Sequence, residues 1–122
     1  MKALIVDDSR AMRMIIGRTL KSLGFDITET ENGQEALDAI AASGPFELAL
    51  VDWNMPVMNG LEFVQSARAN PAHQEMRIMM VTTETEHTQI SRALAAGANE
   101  YLMKPFAAEA IAEKLYLLGF RG

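Results

Sequence analysis

Five short apolar runs constrain this chain most: Ala3–Val6, Phe25–Thr30, Leu48–Val51, Ile78–Thr82 and Tyr101–Met103. Longer stretches with helical periodicity separate them. The first, third and fourth runs are nearly continuous in Val, Ile, Leu, Met and Ala. Strands covered on both faces read this way, as in a parallel sheet. The second run alternates as Phe25-Asp26-Ile27-Thr28, which suits an edge strand. Strand and helix alternate along the whole chain, so the pattern predicts (βα)5 and a parallel α/β sandwich. A helical bundle fits poorly, because the β-type runs end so consistently in polar residues.

The intervening stretches carry their own start and stop signals. In the first, Met12, Ile15, Ile16, Leu20 and Leu23 are expected on one helix face, with Gly24 as the stop. The second opens on Asn32 with Glu35 three residues on, a capping-box spacing, and ends at Gly44-Pro45. The third begins near Asn59-Gly60 and stops before Asn70-Pro71; Asn59 suits turn or N-cap duty. The fourth carries Ile90, Ala93 and Leu94, then Gly97. The fifth carries Ile111, Leu115 and Leu118, then Gly119.

Composition removes several function classes. The 122 residues suit one domain, here 1–122, with no linker, repeat or output domain expected. Lys plus Arg is 11 and Asp plus Glu is 16, a net charge of −5, which argues against nucleic-acid binding. With no cysteine there is no disulfide, thiolate metal site or thiol nucleophile. The apolar runs are too short to span a membrane or serve as a signal, so a cytoplasmic protein is expected.

Ligands of parallel α/β sheets bind beyond the carboxyl ends of the strands. The first run ends there in Asp7-Asp8, the third in Asp52, the fourth in Thr82-Thr83 and the fifth in Lys104-Pro105. Three adjacent carboxylates repel one another unless a cation intervenes. A hard divalent ion such as Mg2+ takes oxygen ligands and can share a phosphate, whereas no His or Cys group offers zinc a site. Lys104 adds an ammonium and Thr82 a hydroxyl. That set suits phosphoryl transfer, which asks mainly for positioning and charge neutralisation, with Asp52 as the nucleophile. Plainer roles exist for each residue: Asp7 and Asp8 as helix caps, Asp52 as a turn residue, Thr82 as an ordinary strand residue, Lys104 on the surface.

Taken together, Val6-Asp7-Asp8, Val51-Asp52-Trp53-Asn54-Met55-Pro56 with Gly60, Met80-Val81-Thr82 and Met103-Lys104-Pro105-Phe106 resemble the motif set of receiver domains, the response regulators of two-component signalling. The match runs from about Leu4 to Leu118. Within the family the chain is most similar to stand-alone chemotaxis regulators, through Asp52-Trp53-Asn54-Met55-Pro56 and the Glu84 two residues after Thr82.

The resemblance implies a flavodoxin-like, doubly wound sheet in the order 2-1-3-4-5. Asp52 would accept a phosphoryl group from a sensor histidine kinase. Mg2+ would be held by Asp7, Asp8, Asp52 and the backbone carbonyl of Asn54. Lys104 would contact a phosphoryl oxygen and Thr82 would swing in to another, while Tyr101 turns inward as the aromatic switch. Lys104-Pro105 would be cis. The face of helix four, strand five and helix five would bind a target, such as a flagellar motor switch component, and a phosphatase is a possible further partner. A monomer is expected, acting as a signalling protein rather than an enzyme, since no free substrate is turned over.

Three positions depart from the family pattern. Thr83 stands where Ala or Gly is usual and would narrow access to Asp52. Thr85-Glu86-His87 opens the fourth helix where lysines are common, and Asn59 replaces a common Asp. Three other functions keep a place. One is a phosphorelay intermediate or phosphate sink without its own target. Another is an Asp-nucleophile phosphatase, disfavoured because its general acid would stand at Asn54. The third is a phosphorylation-independent scaffold, disfavoured by the intact set of Asp7, Asp8, Asp52, Thr82 and Lys104. Elsewhere the expectations are bland. Trp53 is read as a partly exposed neighbour of the site, and Met76, Met79, Met80 and Met103 as core. His73 and His87 are read as surface residues, and Glu109, Glu113 and Lys114 as a mostly solvated face on which Lys114 could also touch a partner.

Overall fold

A computed structural model describes residues 1–83 and 89–120 of the chain. Five parallel strands, β1 (Lys2–Val6), β2 (Asp26–Thr30), β3 (Leu48–Asp52), β4 (Arg77–Thr82) and β5 (Glu100–Met103), form one sheet in the order 2-1-3-4-5. The helices among the described residues are α1 (Arg10–Ser22), α2 (Gly33–Ser43), α3 (Gly60–Ala69), α4 (Ile90–Ala96) and α5 (Ala108–Leu117), with a short 3-10 turn at Pro71–His73. Glu84, Thr85, Glu86 and His87 lie outside the described residues.

Strand alternation divides the core in two. Leu4, Val6, Ala49, Val51, Ile78 and Met80 pack with residues of α2, α3 and α4. Ala3, Ile5, Leu48, Leu50, Met79 and Val81 pack with Ile16 and Leu20 of α1 and Ile111 and Leu115 of α5. Both faces of the central strands are therefore covered, which is why their sequences are almost uninterrupted in apolar residues. The second strand lies at the edge, as its alternation implied, and only its last residue, Thr30, is buried. Met76, Met79 and Met80 are core residues, whereas Met103 is half-buried.

Helix α1 corrects the expected face. Ile16 and Leu20 are buried, but Ile15 is 50% exposed and Leu23 36%. Gly17 explains the rotation. A Cβ there would lie 2.8 Å from Ile27 Cδ1, so the helix leans on the sheet along its Gly17 side. Ile15 lies on the other side of Ile16, about 100° round the helix, and is turned outward.

The caps also differ from expectation. At α2, Asn32 Oδ1 accepts from the Glu35 amide at 2.9 Å, but Glu35 Oε1 accepts from the amide of Glu31, one residue before the cap. The complete capping box stands at α3, where Asn59 and Glu62 accept from each other's amides at 2.9 and 3.0 Å. The cap of α1 is Ser9, accepting from the Met12 amide, so Asp7 and Asp8 are free of that duty.

Arg68 ties the far end of the sandwich together. Its guanidinium donates to the carbonyls of Gly97 (3.0 Å), His73 (2.6 Å) and Met76 (2.6 Å), and to Asn99 Oδ1 (2.9 Å). Asn99 Oδ1 also accepts from the amide of Ile78 at the start of β4. His73 is half-buried in the 3-10 turn rather than on the open surface, its Nε2 3.4 Å from Asn70 Nδ2.

Candidate functional site

Sheet register brings the polar strand ends together. Val6 pairs with Val51, so Asp7 and Asp52 stand level, each one residue further on. Asp52 pairs with Val81 and Thr82 with Met103, so Thr82 and Lys104 rise in steps beside them. The ladders continue past the strands. Asp7 N–H donates to Thr30 O at 3.1 Å, Trp53 N–H to Val81 O at 3.0 Å and Lys104 N–H to Thr82 O at 2.7 Å. The site lies where β1 is flanked by β2 and β3, the reversal in strand order at which open α/β sheets bind ligands.

Asp7, Asp8 and Asp52 each present a carboxylate oxygen, and the three lie within 4.8 Å of one another. Asp7 is 1% exposed and Asp52 7%, while Asp8 is open to solvent. Asp7 Oδ1 accepts from the Ser9 amide at 2.8 Å, and Asp7 Oδ2 is buried without a hydrogen-bond partner. Lys104 Nζ stands 3.3 Å from Asp52 Oδ1 and 3.7 Å from Asp7 Oδ2.

One ammonium cannot offset three carboxylates. Burial, ahead of the charge of Asp7, pushes the Asp52 carboxyl up to about 6, with Lys104 pulling the other way. Asp7 is also raised, by burial first, against the Ser9 amide and Lys104. The donors are all hard oxygens, and one of them is buried and unbonded. A hard divalent cation fits this set: it would neutralise the excess charge and occupy the open lone pairs of Asp7.

Gly60 closes the site from below. A Cβ there would fall 2.6 Å from the Asp52 carbonyl oxygen and 3.1 Å from Trp53 Cα. Its amide donates to Trp53 O at 3.0 Å, so the start of α3 lies directly against the end of β3. Trp53 is 8% exposed and belongs to the core on the α2–α3 side, not a partly exposed neighbour as its sequence position suggested. Its backbone is bonded on both sides, to Val81 and Gly60, and that turns the ring inward.

The remaining expected residues fall around the cluster. Thr82 is fully buried and its hydroxyl donates to Thr83 O at 3.1 Å; Thr83 is half-buried. Asn54 is exposed in the loop after β3. The Lys104-Pro105 bond is cis, and so is Gly44-Pro45, which nothing in the sequence reading anticipated. Tyr101 is half-buried on the edge strand, with Lys114 Nζ 4.6 Å from its ring centroid. Lys114 is also 3.1 Å from Glu100 Oε1, so it is engaged rather than part of a solvated face; Glu109 and Glu113 are exposed.

The model of the response regulator receiver domain matches residues 3–116. The chain belongs to that family. Among curated relatives, the Campylobacter jejuni protein named chemotaxis protein CheY homolog is 47% identical over 94% of this chain and 89% of its own length. Chemotaxis protein CheY1 of Helicobacter pylori is 45% identical over 94% of both. The solved structure of the chemotaxis response regulator CheY4 of Vibrio cholerae superposes with a TM-score of 0.87 at 37% identity. It covers 96% of this chain and 97% of that one. The chain is thus the receiver domain of a CheY-like response regulator, consistent with a phosphorylation-dependent signalling switch. No helix among the described residues is long and apolar enough to cross a membrane.

Proposed function

We propose that this receiver is phosphorylated on Asp52 by a sensor histidine kinase, with Mg2+ held by Asp7, Asp8, Asp52 and the carbonyl of Asn54. The observation that carries this is the triple carboxylate cluster with Lys104 Nζ at 3.3 Å from Asp52 Oδ1. Mg2+ supplies charge neutralisation for the carboxylates and the incoming phosphoryl oxygens. Lys104 keeps Asp52 in the carboxylate form and offers a donor to a phosphoryl oxygen. An Asp52 oxygen attacks phosphorus, a P–O bond forms, and the P–N bond to the donor histidine breaks, leaving its imidazole. Hydrolysis returns the carboxylate and inorganic phosphate, so the chain switches itself rather than turning over a free substrate.

Thr82 stands buried at the next strand end, one residue beyond the Asp52 pairing, where its hydroxyl can turn toward a phosphoryl oxygen. Tyr101, on the neighbouring strand, would follow it inward and bias a two-state surface of α4, β5 and α5 toward its target. Names of relatives point to chemotaxis, and we take the target to be a motility protein such as a flagellar switch component. Phosphatase assistance, a monomeric state and a cytoplasmic setting complete the reading. A small-molecule phosphodonor tests it. Intact mass should rise by one phosphoryl group with Mg2+, and not without Mg2+ or in Asp52→Asn. A Mg2+-independent gain, or an equal gain in Asp52→Asn, would contradict it.

A further inference from the structure

We propose that Met58, seated against Gly33 at the start of α2, is the positioning residue that fixes the β3–α3 loop for cation binding at the Asp7–Asp8–Asp52 cluster. The proposal rests on reading that cluster as a cation site. The loop leaves β3 at Asp52 and returns at Gly60. Its near end is held by Trp53 N–H on Val81 O, and its far end by Gly60 N–H on Trp53 O. Between them, Met58 N–H donates to Pro56 O at 2.7 Å, and Val57 at the centre of this three-residue turn has φ +69°. That is a strained γ-turn, and a β-branched residue tolerates it badly. Val57 is 81% exposed, so its own packing does not compensate.

Strain of this kind persists where the surroundings over-determine the backbone. Here the neighbour is α2. Met58 O accepts from the Gly33 amide at 3.3 Å. A Cβ on Gly33 would lie 2.7 Å from Met58 Cγ, 2.9 Å from Sδ and 3.0 Å from Cβ. Cγ is placed by χ1 and Cβ by the main chain, so Met58 could yield only by changing rotamer and shifting its backbone by a few tenths of an ångström. Gly33 thus leaves a notch, and the turn at Val57 delivers Met58 into it. Helix α2 is itself seated on the sheet through Ala36 and Ile40. Asn54, whose carbonyl is assigned to the cation, lies on the loop so tethered. Supports of this kind set how well a first ring of ligands is pre-arranged.

The test uses the whole chain, with Mg2+ titrated against Trp53 fluorescence and amide exchange of residues 53–59 followed in metal-free buffer. Gly33→Ala should weaken Mg2+ binding by about tenfold, in the range found for outer-ring supports of metal sites, and speed exchange in the loop. Met58→Ala should do both by a smaller factor. The double variant should be no worse than Gly33→Ala alone, because both changes act on one contact. Ile111→Val, in the opposite core, lowers overall stability without touching the loop and should leave both readouts unchanged. Wild-type Mg2+ binding and loop exchange in both single variants would overturn the positioning role, as would an equal loss in Ile111→Val. A wild-type chain with no response to Mg2+ would instead overturn the cation reading, and the positioning role with it.

Discussion

Lys104 Nζ lies 3.3 Å from Asp52 Oδ1, joining residues 52 apart in sequence across two strand ends. Lys104 is 21% exposed at its side chain and Asp52 9%, so water screens the pair only partly. Removing the ammonium leaves two buried carboxylates facing each other. Lys104→Met should therefore move the Asp52 carboxyl above its present value of about 6. Carboxyl-carbon NMR across pH reads this directly. Phosphorylation by a small donor should fall by about a hundredfold, the scale for losing one preorganised charge contact.

The raised Asp52 carboxyl makes stability fall with pH. Unfolded, the group titrates near 3.8; folded, at about 6. Between those values the folded state holds more protons, so metal-free stability declines as pH rises through that window. Asp7 is shifted in the same direction and adds to it. Asp52→Asn removes the penalty and should stabilise the metal-free protein by about 1–3 kcal/mol near pH 7, and hardly at all near pH 4. Mg2+ should stabilise the wild type more than the variant. Urea melts at the two pH values, with and without Mg2+, check both statements.

Gly60 allows no side chain. A Cβ there would meet the Asp52 carbonyl at 2.6 Å and Met80 Cε at 2.7 Å. Backbone cannot swing aside as a methionine tip can, so Gly60→Ala should cost about 2–3 kcal/mol by overpacking. Its effect should reach the site, lowering phosphorylation of Asp52 even where the protein is fully folded. Intact mass and a denaturant melt on the same sample separate the two effects.

Arg68 holds together four segments away from the site. Four groups accept from it at 2.6–3.0 Å, three of them backbone carbonyls. Arg68→Ala should cost about 2–4 kcal/mol, since charged hydrogen bonds are lost and their acceptors left partly unpaired. Arg68→Lys should recover little, because a point ammonium cannot serve this fork of acceptors. Urea midpoints at unchanged slope would show it.

Val57 offers the opposite sign. With φ +69° and 81% exposure it is strained and contributes little packing. Val57→Gly removes the Cβ that makes a positive φ costly here, and should raise stability by about 1 kcal/mol. A fall in the thermal midpoint would show that Val57 is not strained in solution.

The strand ends were readable because a parallel sheet makes their position nearly independent of detail. Once Leu48–Val51 is a buried strand, Asp52 must stand at its carboxyl end, level with Asp7. Lys104 and Thr82 follow from the same logic. What sequence could not show was orientation within a correctly placed element. Ile15 and Ile16 are both apolar, and only the close approach at Gly17 decides which one is buried. Trp53 follows an active strand end, yet its paired backbone turns the ring into the core. Glu35 had the spacing for a capping box and bonds one residue too early. Arg68, Met58 and Gly33 gave no periodic signal at all, because each acts through a contact between elements distant in sequence. Gly33, just inside a helix start, was the nearest to a hint.

The most direct test locates the modified atom. The chain is phosphorylated with Mg2+ present, reduced with borohydride to trap any acyl phosphate, digested and sequenced by mass spectrometry. Homoserine at position 52 alone is the expected result. Trapping at Asp7 or Asp8, or stable phosphate on a hydroxyl such as that of Thr82 or Thr83, would contradict Asp52 as the acceptor.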